Sequence, residues 1–116
     1  MKPRFDPVNQ AIRSGDRRIQ LTPKTFAVLD YLRQRPERLV TKDELLAAVW
    51  PKVYVGDGVL KVAVREIRKI LQDDPQTPRF IETVHRRGYR FIGKLPEVDH
   101  STANLTSPTT ARQPSQ

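Results

Sequence analysis

The run Val59-Leu60-Lys61-Val62-Ala63-Val64-Arg65-Glu66-Ile67-Arg68-Lys69-Ile70-Leu71 constrains the fold more than any other part of the chain. Wound at about 100° per residue, it gathers Leu60, Ala63, Val64, Ile67, Ile70 and Leu71 into a sector of roughly 120°, the width of a helix face that packs on a core. Lys61, Arg65, Arg68 and Lys69 fall within about 100° on the far side, spaced so that they stack along one face. The rest of the chain must bury the first face and leave the second open. Charged helix faces are usually only solvated, and alone this one carries that reading as readily as any other. Val62 lies apolar among the cations, where it suits contact with a thymine methyl group or reflects chance. Glu66 lies on the flank.

A short basic turn, His85-Arg86-Arg87-Gly88, follows between two strand-like runs, Phe80-Ile81-Glu82-Thr83-Val84 and Tyr89-Arg90-Phe91-Ile92. This predicts a hairpin with glycine in its tip. Tyr89 and Phe91 share one parity and face the core; Arg90 points towards solvent or phosphate.

Ahead of the basic helix, Arg4-Phe5-Asp6, Ala11-Ile12-Arg13 and Arg17-Arg18-Ile19-Gln20-Leu21 are separated by the turn formers Pro7-Val8-Asn9 and Ser14-Gly15-Asp16, the pattern of an antiparallel meander. Thr22-Pro23 supplies an N-cap and a proline at the first helical position. The helix it opens should run to about Arg35, with Phe26, Leu29 and Leu32 or Arg33 on its period, before Pro36 ends it. Thr41-Lys42-Asp43-Glu44 has the form of a capping box, in which threonine and glutamate each satisfy an amide at a helix start. The second helix should bury Leu45, Leu46, Ala48 and Val49 and close at Trp50-Pro51, with Trp50 filling the space between helices. Lys52 to Gly56 reads as a loop, Asp57 as the cap of the basic helix, and Asp73 to Pro78 as a turn-rich break. The predicted fold class is α+β: three strands, three helices and a terminal hairpin.

Composition narrows the partners. With 116 residues, 37% of them hydrophobic, the chain can build one core, and a formal net charge of +8 favours a polyanion. No apolar run approaches the roughly 20 residues of a membrane span, and no apolar signal core follows Met1-Lys2-Pro3-Arg4, so the chain reads as cytoplasmic with no membrane contact. Cysteine is absent, which removes disulfides and thiolate metal sites. The two histidines, His85 and His100, have no spacing to carboxylates that suggests a metal centre or a triad, and Asp73 and Asp74 diverge on a turn. The chain is read as no enzyme, with no cofactor and no metal.

Leu21-Thr22-Pro23-Lys24-Thr25-Phe26, Val40-Thr41-Lys42-Asp43-Glu44-Leu45-Leu46, Val49-Trp50, Asp57 through Leu71 and Ile81 through Phe91 together resemble the OmpR/PhoB-type winged helix-turn-helix DNA-binding domain of bacterial transcriptional regulators. The closing pattern Thr-Val-x-x-x-Gly-Tyr-Arg-Phe behind a basic helix is specific to it. The resemblance covers roughly residues 4 to 95. It implies double-stranded DNA as partner, the helix of about residues 58–72 in the major groove, and the wing at residues 85–88 against the minor groove or its phosphates. Residue by residue, Lys61, Val62, Arg65, Arg68 and Lys69 become the recognition set, with Arg68 on a phosphate and Arg65 the candidate for base readout. His85, Arg86, Arg87 and Arg90 become the wing set, and Thr41 and Lys42 the backbone contact at the start of the second helix. Lys52, Val53, Tyr54 and Val55 occupy the loop that in activators of this family can touch RNA polymerase.

The sequence departs from the family pattern at Gly58, at Glu66, where many response regulators carry arginine, and at the wing, where the cations sit one or two places along. Glu66 either accepts from a cytosine N4 or pairs with Arg65 or Lys69. A weak or DNA-induced homodimer on repeated half-sites is implied as well. The alternative from another class is a winged-helix interaction module whose basic face docks an acidic partner. Residues 1–95 are expected to form the domain and 96–116, rich in Ser, Thr and Pro, a disordered tail or linker. With the domain starting at Met1, no N-terminal receiver is expected, and any sensory region would follow the linker.

Overall fold

The computed structural model describes residues 2–98. The expected tail from residue 99 onward, His100 included, lies outside them. The elements are β1 (Pro3–Asp6), β2 (Ala11–Ser14), β3 (Arg17–Gln20), α1 (Pro23–Arg33), β4 (Leu39–Thr41), α2 (Lys42–Val49), α3 (Gly58–Leu71), β5 (Ile81–Val84) and β6 (Gly88–Phe91).

Alternation builds the first sheet, which is antiparallel in the order β1-β2-β3. Phe5, Ile12 and Ile19 stand opposite one another in register. Phe5 and Ile12 are fully buried, and the Phe5 ring stacks on Phe26 of α1 with centroids 5.0 Å apart. At the end of β1 the buried Asp6 carboxylate accepts from the backbone and side-chain amides of Asn9, closing the first turn.

α1 starts as expected: the Thr22 hydroxyl oxygen accepts from the Thr25 amide, with Pro23 at the first position. It ends at Arg33, two residues before the expected limit, where the Gln34 amide donates to the Asp30 carbonyl. Thr25, Val28, Leu29 and Leu32 are buried. α2 is capped by Thr41, whose oxygen accepts from the Glu44 amide. Only half of the expected capping box forms. The Glu44 carboxylate turns instead to the Tyr31 hydroxyl at 2.5 Å and to Arg38 at 2.9 Å, because tertiary donors of higher strength compete with the local amide. Leu45 and Val49 are buried on α2, whereas Ala48, expected on the apolar side, is exposed. Trp50 is half-buried and packs at the edge of the core.

α3 buries Leu60, Ala63, Val64, Ile67 and Leu71, with Ile70 half-buried, which is the face the wheel assigns. Gln72 closes it in a left-handed conformation, φ 56°, while the Asp73 amide reaches back to the Arg68 carbonyl at 2.8 Å. The Asp73 carboxylate then accepts from the amides of Asp74, Arg79, Phe80 and Ile81, so it folds the 73–80 break and positions the start of β5.

The hairpin is part of a three-stranded sheet in the order β4-β6-β5, and β4 was not expected. Gly88 is not the tip residue that adopts the unusual backbone angle; Arg86 does, at φ 63°. Gly88 sits in β6 opposite Thr41, where a Cβ would lie 2.0 Å from the Val40 carbonyl oxygen. Glycine is required there for the approach of β4. Beyond β6, Pro96, Glu97 and Val98 depart from the expected tail: the Phe5 amide donates to the Pro96 carbonyl at 2.7 Å and the Val98 amide to the Phe5 carbonyl at 2.8 Å. Glu97 pairs with Arg33 at 2.9 Å. These contacts tie residues 96–98 to β1 and α1.

Candidate nucleic-acid interface

The exposed face of α3 presents Lys61, Val62, Arg65 and Lys69. Among the described residues none of the three cations has a carboxylate within ion-pair distance. Val62 is 51% exposed. Glu66 is exposed and makes no ion pair with Arg65 or Lys69, so the positioning role weighed for it is not formed; it flanks a shallow groove shared with Gln20, Leu21, Thr22 and Ile70.

Arg68 departs from that row. Its guanidinium turns to the wing sheet and donates to the Ile81 carbonyl and to the Thr83 hydroxyl, both at 2.8 Å. Its Nε is buried without a partner. Arg68 thus fixes α3 against β5, a role invisible to a helical wheel because β5 lies ten residues further along.

At the wing, the Arg87 amide donates to the Val84 carbonyl at 2.9 Å and closes a four-residue turn that leaves His85, Arg86 and Arg87 exposed. Arg90, grouped with them from sequence, stands opposite Glu82 and pairs with it at 2.8 Å. Its charge is matched within the sheet.

The start of α2 joins both parts. The Lys42 amide donates to the Arg87 carbonyl at 3.2 Å, and Thr41, Lys42, Arg86 and Arg87 line one cleft of about 410 Å³. The Lys42 ammonium meets the Asp57 carboxylate at 3.2 Å. Asp57 therefore does not cap α3 with its side chain, contrary to expectation. Lys42, and to a smaller degree Lys61, holds the Asp57 carboxyl below the usual carboxylate range. Burial pushes the Tyr89 phenol up, against the nearby charges of Lys42 and Arg68. No sequence interval signals the Lys42–Asp57 pair, since the two residues are fifteen apart.

Lys52, Val53 and Tyr54 are exposed, Tyr54 fully, and Val55 is half-buried. Lys24 braces the start of this loop: its ammonium donates to the Val49 carbonyl at 2.7 Å and lies 5.8 Å from the Trp50 ring centroid. Among the described residues no cluster of three or more His, Cys, Asp or Glu side chains could hold a metal ion, and no helix is long and apolar enough to cross a membrane.

Three helices with a β-hairpin wing beside an exposed cationic third helix define a winged helix-turn-helix DNA-binding domain. The family model described as "Transcriptional regulatory protein, C terminal" matches residues 16–91, and the chain belongs to that family. It is 35% identical over 91 residues to the transcriptional regulatory protein YkoG of Bacillus subtilis, covering 78% of this chain and 40% of that protein. Among solved structures, the DNA-binding domain of Escherichia coli CadC matches with a TM-score of 0.67 at 29% identity, over 76% of this chain and 83% of that one. The Klebsiella pneumoniae RstA DNA-binding domain in complex with the RstA box also matches with a TM-score of 0.67 at 29% identity, over 79% of this chain and 92% of that one. The chain thus spans about two fifths of the length of its full-length relative YkoG. The winged-helix class and the DNA-binding family expected from the sequence both agree with these findings.

Proposed function

We propose that this domain binds double-stranded DNA sequence-specifically in a cytoplasmic transcriptional regulator, with α3 in the major groove and the wing tip at the minor groove or its phosphates. The observation that carries the proposal is the mutual bonding of three basic parts. Lys42 joins the start of α2 to the wing through Arg87 and to the start of α3 through Asp57, while Arg68 joins α3 to β5. Lys61, Arg65, Lys69, His85, Arg86 and Arg87 are thereby held as one unit, with no acid paired to any of them among the described residues.

Within that frame Arg65 reads a base, since its guanidinium is free to donate two bonds to a guanine edge. Lys61 and Lys69 flank it on phosphates, and Val62 offers a methyl-sized contact. Arg86 and Arg87 grip beside the groove, with Thr41 and Lys42 at the backbone. Tyr54, fully exposed on the 52–55 loop, supports a contact of that loop with RNA polymerase. Binding as a weak or DNA-induced dimer on repeated half-sites completes the proposal.

Selecting sites from a random duplex pool and then titrating Arg65→Ala tests it. The variant should lose about 1–3 kcal/mol on the selected site and far less on random duplex. Equal losses on both would remove Arg65 from base readout. Absence of duplex binding at low salt would instead leave the basic face to an acidic protein partner.

A further inference from the structure

The first sheet carries a second cationic surface that the DNA-binding face does not use. In register, Arg4 of β1 stands opposite Arg13 of β2, which stands opposite Arg18 of β3. The row alternates with Phe5, Ile12 and Ile19, whose side packs on α1, so the three arginines share the outer face. Arg4 and Arg18 are exposed and Arg13 is half-buried. None of the three pairs with a carboxylate among the described residues; Asp16 at the adjacent turn does not, and Glu97 is taken by Arg33. Like charges directly opposite across strands destabilise a sheet. Solubility alone would be served as well by arginines scattered over the surface.

α1 packs against both the inner side of this sheet and the buried side of α3, so the arginine row is turned away from the helix that faces DNA. Directly opposite residues on neighbouring strands are about 4.5–5.5 Å apart. On a helix, the Cβ atoms of residues i and i+4 are about 5–6 Å apart, so acidic side chains repeated at that interval leave their backbone at a spacing similar to that of the arginines across the strands.

We propose that Arg4, Arg13 and Arg18 form a docking ladder for an acidic helix of a protein partner, occupied independently of DNA. The guanidiniums supply forked donors, each able to take one carboxylate bidentately.

The test uses an alanine-based helical peptide with glutamate at every fourth position, and its glutamine counterpart, titrated against the whole chain by fluorescence anisotropy. The glutamate peptide should bind and the glutamine peptide should not. The triple variant Arg4→Thr, Arg13→Thr, Arg18→Thr should weaken peptide binding by at least about fivefold, while Arg17→Thr, which lies outside the row, should change it less than about twofold. The triple variant should also melt a few degrees higher, roughly 2–8 °C, because the repulsion is relieved. Its affinity for the selected duplex should change much less than that of Arg65→Ala. Unchanged peptide binding in the triple variant overturns the proposal. So does a loss of specific DNA affinity equal to that of Arg65→Ala, which would make the row part of the DNA surface.

Discussion

Replacing Arg68 with alanine should unfold part of the interface more than it discharges it. The guanidinium donates to the part-buried Ile81 carbonyl and to the exposed Thr83 hydroxyl. The first bond, charge-assisted and sheltered, contributes about 1.5–3 kcal/mol, and the second about 0.5–1 kcal/mol. The buried Nε without a partner subtracts about 1 kcal/mol or more. The net loss is about 1–3 kcal/mol, or roughly 5–20 °C in melting temperature for a domain of this size. Urea unfolding followed by tryptophan fluorescence measures it, with a lowered midpoint and an unchanged slope. A double-mutant cycle with Thr83→Ala should return a coupling of about 0.5–1 kcal/mol. Arg68→Lys should recover only part of the loss, because an ammonium cannot hold both acceptors in the planar fork. An unchanged midpoint for Arg68→Ala, with all duplexes weakened alike and the salt slope lowered by about 0.9, would instead mark Arg68 as a single phosphate contact and not a brace between α3 and β5.

Gly88→Ala should lose about 3 kcal/mol, since the added carbon would stand 2.0 Å from the Val40 carbonyl oxygen and backbone must shift to admit it; Gly58→Ala, with nothing within 4 Å, should be neutral or stabilise by up to about 1 kcal/mol. Thermal melts of the two variants compare them directly. The Tyr31 hydroxyl, and after it Arg38, hold the Glu44 carboxyl below the usual carboxylate range, outweighing the opposing effect of burial. Its contribution to stability is therefore present above the unfolded carboxylate value of about 4.3 and lost as pH falls through the lower folded one. Glu44→Gln should accordingly flatten the decline in stability between about pH 5 and pH 3, measured by urea midpoints. Asp57→Asn should free Lys42 for phosphate, strengthen binding to random duplex and steepen the salt slope by about 0.9.

What the sequence disclosed was local. The buried and exposed faces of α3, the Thr22-Pro23 start of α1 and the parity of Tyr89 and Phe91 all follow from periodicity or caps, and the structure keeps them. What it concealed depends on contacts between distant segments. Leu39–Thr41 is too short to show alternation and is a strand only because β6 lies beside it. Gly88 reads as a turn glycine until β4 approaches it. Thr41 and Glu44 have capping-box spacing, yet Tyr31 and Arg38 take the carboxylate. The same limit applied to the interface: the wheel placed Arg68 with Arg65, and parity placed Arg90 outward, but Ile81, Thr83 and Glu82 engage them.

Whether one face reads DNA by sequence is decided by the affinity of the chain for its selected duplex and for random duplex across a salt series. Log affinity should fall steeply with log salt on both duplexes, with a specific-to-random ratio of about 10³ or more at physiological salt. A ratio near one across the series, with the same slope on both, would show that the cations of α3 and the wing hold a polyanion without reading it.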